Sequence, residues 1–142
     1  MPAPYHGRCN CGAVTLSIEA EPVWVRQCWC RQCQRIAGGS ATSNALVMTD
    51  KLATRGEIHW WEYEAQSGNV IGQGFCPNCG THLLGRNSAR SIACVVRLGV
   101  LDEAAELAPT SIIWTDEAPA WALLDPALER FARQPPAPGT AT

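Results

Sequence analysis

Two cysteine pairs, each with a glycine directly behind it, place the tightest limit on how this chain can fold. They are Cys9-Asn10-Cys11-Gly12 near the start and Cys76-Pro77-Asn78-Cys79-Gly80 in the middle. Cysteines this close together can hold two corners of a tetrahedral metal site, with the turn between them wrapping backbone N–H groups around the sulfurs. Glycine suits the following position because it takes positive φ without a Cβ clash. Each pair supplies half a site. If both grip one zinc, four thiolates close the tetrahedron and leave no position for substrate, as in structural sites. Separate knuckles or metal-free thiols are the alternatives, and iron would fit the same cage, with zinc the default. A shared site would pin the start of the chain to its middle.

The excursion between the two pairs carries a third cluster, Cys28-Trp29-Cys30-Arg31-Gln32-Cys33. Three cysteines cannot close a tetrahedron alone. Zinc on three protein ligands keeps a fourth position for water or substrate, the catalytic arrangement. His6, His59 or His82 could instead complete the site, or the thiols could stay metal-free and reactive. An open position among thiolates suits a soft ligand such as a small thiol, which the metal would deprotonate into a nucleophile. Three thiolates also weaken the Lewis acidity of the metal, so thiolate delivery to a carbonyl is expected rather than hydrolysis. Cys28, Cys30 and Cys33 are therefore the expected catalytic centre. Arg31 and Arg35 beside them could bind the carboxylates of a peptide-like thiol, or be ordinary surface arginines. Cys94 lies in an apolar run and reads as a core residue. Trp24, Trp60, Trp61, Trp114 and Trp121 are expected to fill core or line the cleft.

Composition narrows the function classes. The 142 residues are 46% hydrophobic and carry a net charge of −2. That suits a packed domain and argues against nucleic acid as the main partner. The start lacks the n- and h-regions of a signal peptide, and no apolar run nears the ~20 residues needed to span a bilayer. A soluble, cytoplasmic protein with no membrane partner is expected. In that compartment eight cysteines point to metal or catalysis rather than to a disulfide framework.

Alternation marks a strand at Val14-Thr15-Leu16-Ser17-Ile18-Glu19, Glu57-Ile58-His59-Trp60-Trp61-Glu62-Tyr63-Glu64 is rich in β-formers, and Val23-Trp24-Val25-Arg26-Gln27 is a short strand that runs into the triple cluster. Further strands are expected at 45–48, 70–75, 81–84, 92–98 and 111–115, with a hairpin turn at Ser67-Gly68-Asn69 and one helical turn at 32–37 stopped by Gly38-Gly39. Asp125 as N-cap and Pro126 behind it predict a short C-terminal helix, with Leu124, Leu128 and Phe131 on one face. Many short strands between turns imply a mainly β, antiparallel domain over residues 1–134, followed by a mobile Pro-, Gly- and Thr-rich tail at 135–142.

Taken in order, Gly7-x-Cys9-x-Cys11-Gly12-x-Val14, Cys28-x-Cys30-x-x-Cys33, Phe75-Cys76-x-x-Cys79-Gly80-Thr81 and Gly99-x-Leu101-Asp102 resemble the glutathione-dependent formaldehyde-activating enzyme (centromere protein V-like) family. The resemblance covers residues 5–131. It implies a β-tent fold of short antiparallel sheets, a structural zinc on Cys9, Cys11, Cys76 and Cys79, and a second zinc on Cys28, Cys30 and Cys33. It also implies a carbon–sulfur lyase that joins formaldehyde to glutathione. The chain departs from the family pattern at Trp29, where histidine is usual, at Gln34, where a basic residue is usual, and at Ile112 in the region where a histidine usually stands. Indole offers apolar surface but no metal ligand, so Trp29, Arg31 and Arg35 are taken as substrate-binding and a bulkier thiol adduct or aldehyde is expected. A zinc-stabilised binding module without catalysis is the alternative. Oligomeric state is not legible.

Overall fold

The computed structural model describes residues 2–136. The last part of the expected tail, 137–142, lies outside them. The first sheet has three antiparallel strands, β1 (Tyr5–Arg8), β2 (Thr15–Ile18) and β5 (Leu52–Arg55), in the order β1-β2-β5. The second has eight: β3 (Trp24–Cys28), β4 (Thr42–Met48), β6 (His59–Glu64), β7 (Val70–Phe75), β8 (His82–Asn87), β9 (Ala93–Arg97), β10 (Ser111–Ile113) and β11 (Glu129–Arg130). Their order across the sheet is β11-β10-β3-β4-β9-β8-β7-β6. One α-helix is described, α1 (Arg31–Ile36).

Strand alternation divides the large sheet into two chemically different faces. On one face Val25 pairs with Ala45, Ala45 with Val96, and Val96 with Leu84. All four are buried, and they share one cluster with Tyr5, Leu16 and Ile18 of the small sheet. The core therefore sits where the two sheets meet. On the other face, one residue along, Arg26 pairs with Asn44 and Asn44 with Arg97. That row is polar although it runs through the middle of the sheet.

Two expectations are corrected. The sheet is mixed rather than antiparallel, because β10 pairs parallel to β3 and β11 parallel to β10. The C-terminal helix is absent from the described residues. Asp125 Oδ1 accepts from the Ala127 N–H at 2.9 Å, as an N-cap would, but the turn ends there. Glu129 N–H donates to Thr110 O and Phe131 N–H to Ile112 O, so the open edge of β10 takes the backbone. Helix nucleation is costly over so few residues, while an unpaired strand edge offers bonds at once.

Candidate metal centres and their cleft

The first centre is built by two turns from opposite ends of the core. After β1, Cys9 N–H donates to Val14 O, Gly12 N–H returns to Cys9 O, and Gly12 has φ +81°. After β7, Cys76 N–H donates to Thr81 O, Gly80 N–H to Cys76 O, and Gly80 has φ +76°. The backbone N–H groups of Val14 and Ala13 point at the Cys9 and Cys11 sulfurs at 3.3 and 3.4 Å. Asn10 N–H donates to the Thr81 hydroxyl at 3.1 Å and ties one turn to the other. The Cys9–Cys11 and Cys11–Cys76 sulfurs are 3.6 and 3.8 Å apart, and the four sulfurs of Cys9, Cys11, Cys76 and Cys79 all lie within 4.8 Å of one another. The edge of a tetrahedron with metal–sulfur bonds of about 2.3 Å is about 3.8 Å, so the cage is the right size for such an ion. Cys9 and Cys76 are fully buried.

The second group sits where β3 runs into α1. Cys28 ends β3 and is buried, and Cys30 caps α1, its sulfur accepting from the Cys33 N–H at 3.3 Å. The three sulfurs lie within 4.8 Å of one another, and no histidine or carboxylate joins them among the described residues. His6 lies instead beside Glu103 and His59 beside Glu57, while His82 packs against Phe75. The thiols share protons unequally. Hydrogen bonds from Cys28 and Cys30 lower Cys33 far below the ordinary thiol range, and Arg97 adds to that, while Cys28 is pushed far up. Close contact thus pulls the proton affinities of the three thiols apart, and those protons must leave before a cation can take the site.

The loop is anchored from the far end of the chain. Gln34 is buried and its Nε2 donates to Trp29 O at 2.7 Å and to Glu117 O at 2.9 Å. A neutral amide at this position thus serves to seat the 115–117 turn against α1. Parallel β10 does the same for the cluster itself, since Ile113 stands opposite Cys28 and Ile113 O accepts the Trp29 N–H.

Cys28, Cys30 and Cys33 open onto a cleft of about 200 Å³ on the polar face of the large sheet. Arg26, Asn44, Tyr63, Gln73, Arg90 and Arg97 share its lining. Arg97 donates to Asn44 Oδ1 at 2.6 Å and to Gln73 Oε1 at 2.5 Å. Arg26 is 7% exposed and stacks 3.5 Å from the centre of the Trp24 ring. Burial and the nearby Arg90 lower the Arg26 guanidinium to about 10, which leaves it charged at neutral pH. Tyr63 donates to Gln32 Oε1, and burial raises its phenol, so it keeps its proton. A larger cavity of about 700 Å³, lined by Trp60, Arg86, Arg90 and Cys94 among others, has a single cysteine and no ligand cluster among the described residues.

Trp29, Arg31 and Arg35 are placed elsewhere. Trp29 turns away from its cysteine neighbours, as strand alternation dictates, and is 5% exposed, edge-on to Trp121 at 6.4 Å. Arg31 and Arg35 are exposed on α1, and Arg31 donates to Gln34 Oε1. None of the three is among the residues lining the cleft. Trp24 and Trp114 do line it, whereas Trp61 and Trp121 are largely exposed. Arg26 and Arg97 went unremarked in the sequence, although an arginine inside an apolar strand, Val-Trp-Val-Arg or Cys-Val-Val-Arg, is itself a signal. Trp29→Ala is expected to cost about 3–5 kcal/mol, as for other buried aromatics, while both metal sites stay loaded. Thermal melting and metal content of the variant check this. A loss of substrate affinity without loss of stability would instead put Trp29 at the substrate.

The family model described as glutathione-dependent formaldehyde-activating enzyme matches residues 4–117. No protein with a curated description matches the chain. Among solved structures, the crystal structure of a Rhodobacter sphaeroides protein superposes with a TM-score of 0.55 at 21% identity, covering 68% of this chain and 87% of that one. At that identity the likeness is one of fold.

Proposed function

Because the chain belongs to the glutathione-dependent formaldehyde-activating enzyme family, we propose that it is a zinc-dependent carbon–sulfur lyase, acting on the adduct of a small thiol with an aldehyde. The observation that carries this is the trio of Cys28, Cys30 and Cys33, open to a cleft and lacking a fourth protein ligand among the described residues. Zinc bound there would keep one position for an incoming sulfur and lower its pKa, so that the sulfur is a nucleophile near neutral pH. The protein's own residues do the rest. Cys33 gives up its proton first, and Arg97 beside it favours the anionic form. Arg26, Arg90 and Arg97 draw an anionic substrate into the cleft. Tyr63 keeps its proton and can donate a hydrogen bond to the aldehyde oxygen. Ile113, Trp24 and Trp114 give the cleft apolar wall. Cys9, Cys11, Cys76 and Cys79 would hold a second zinc that is structural only. We place the protein in the cytoplasm, where thiols stay reduced.

Exchange NMR of a thiol with an aldehyde tests the reading, since it measures how fast the carbon–sulfur bond forms and breaks at equilibrium. Two zinc ions per chain and exchange faster than in buffer, lost on chelation and restored by zinc, are expected. One zinc per chain with no acceleration for any pair would leave a zinc-stabilised binding module.

A further inference from the structure

The charge in the cleft is unbalanced beyond what the metal site accounts for, since three thiolates on one divalent ion leave a single net negative charge against several arginines. Arg26, Arg86, Arg90 and Arg97 line it, and no Asp or Glu does among the described residues. Among the described residues only Arg86 of these has a carboxylate partner, Glu62 at 3.6 Å, and it also stacks on Trp60. Arg97 is held by two neutral amides, Asn44 and Gln73, which orient the guanidinium without cancelling its charge. Arg26 is held by a neutral ring. The Nε atoms of Arg26, Arg90 and Arg97 are buried and have no hydrogen-bond partner. Burying guanidinium charge without a counterion is costly unless an anion completes the set.

The position of that anion is limited by register. Arg26, Asn44 and Arg97 form one row across β3, β4 and β9, with strands spaced about 4.8 Å apart. Cys28 lies two residues beyond Arg26 on the same face. An acid group on this row therefore sits next to the reacting sulfur. At about 200 Å³ the cleft is also below the roughly 300–1,000 Å³ that encloses a drug-sized ligand. The carboxylates of glutathione are separated from its sulfur by peptide links, so neither lies directly beside that sulfur.

We infer that the adduct handled at this site carries a carboxylate directly beside its carbon–sulfur bond, bound by Arg26 and Arg97. This rests on the thiol–aldehyde reading of the same site. The acid can come from the aldehyde, as in a 2-oxo acid, or from the thiol, as in a mercapto acid. The step balances in either case. The thiol loses its S–H proton, and the sulfur electron pair forms the bond to the carbonyl carbon. The π pair moves to oxygen, which takes a proton and becomes the hydroxyl. Nothing is oxidised or reduced.

The test pairs glutathione with formaldehyde or glyoxylate, and formaldehyde with 2-mercaptoethanol or mercaptosuccinate, in wild type and Arg97→Gln. Exchange NMR reads turnover, and calorimetry reads binding of mercaptosuccinate and of glutathione alone. A pair with the adjacent acid should turn over about 10- to 100-fold faster than its partner pair without it, the scale of a charge-assisted hydrogen bond. Arg97→Gln should erase that ratio with zinc content unchanged. Advantage in the glyoxylate arm alone assigns the acid to the aldehyde, and in the mercaptosuccinate arm alone to the thiol. Rapid glutathione–formaldehyde exchange without any such advantage overturns this inference and leaves the lyase. Mercaptosuccinate bound more tightly than glutathione and lost in Arg97→Gln, with no pair turning over, leaves the carboxylate site and overturns the lyase. No turnover and no such binding overturns both.

Discussion

Cys76→Ser is expected to leave no soluble, folded protein. Cys76 is fully buried, and together with Cys9 it belongs to the apolar cluster shared by both sheets. Metal in a closed site contributes roughly 10–16 kcal/mol in small peptides, against roughly 5–15 kcal/mol for the stability of a whole domain. Removing a ligand therefore removes as much as the fold has to spare. The serine hydroxyl would also be left in an apolar setting, which adds its own cost. Cys11→Ser should fail in the same way although Cys11 is exposed, because the loss is of coordination rather than of packing. Soluble yield and far-UV circular dichroism read the result. A Cys76→Ser protein melting within a few degrees of wild type would falsify the shared four-cysteine site.

Cys30→Ser is expected to do the opposite, abolishing activity and sparing the fold. Its cluster is local, spanning the end of β3 and the first turn of α1, so its metal bridges no distant segments. The structural job of Cys30 is to cap α1 by accepting from the Cys33 N–H. Serine is among the best residues for that job, so the stability change should stay within about 1 kcal/mol. With two thiols left, the open site should lose its zinc and carbon–sulfur exchange should fall to the buffer rate. One zinc per chain by elemental analysis, an unchanged melting curve and no exchange activity are the three readouts. Collapse as severe as that of Cys76→Ser would make the triple cluster structural.

The two cysteine clusters were legible because their information is local, carried by cysteine spacing and trailing glycines. The same holds for β2, β6, β7 and α1, where alternation or a glycine stop falls within a few residues. What stayed hidden is non-local. β1 is only four residues long, with glycine at one of its two buried positions, and three of the four β5 residues are exposed, so no apolar periodicity announces either. The parallel pairing of β10 with β3 joins segments 85 residues apart, and nothing in Ser111–Ile113 names its partner. Asp125 and Pro126 carried a real capping signal, which the open edge of β10 outweighed. Arg26, Asn44 and Arg97 form a row only once three strands are in register. Trp29 was read as substrate-binding because nothing local shows where its ring lands, which depends on Trp121, far along the chain.

The clamp between Cys11 and Cys76 also decides how the molecule bears load. These residues are 65 apart in sequence, so a metal joining them would close a ring that contains β3, β4, β6 and β7, half the strands of the large sheet. Tension applied at the two ends would run through the clamp and the strands after Cys79, and would bypass the ring. About 220 Å of extended chain is stored inside it, at roughly 3.4 Å per residue. With a metal bound there, that length could be drawn out only after a metal–sulfur bond breaks, and the metal would be a mechanical fuse as well as a fastening.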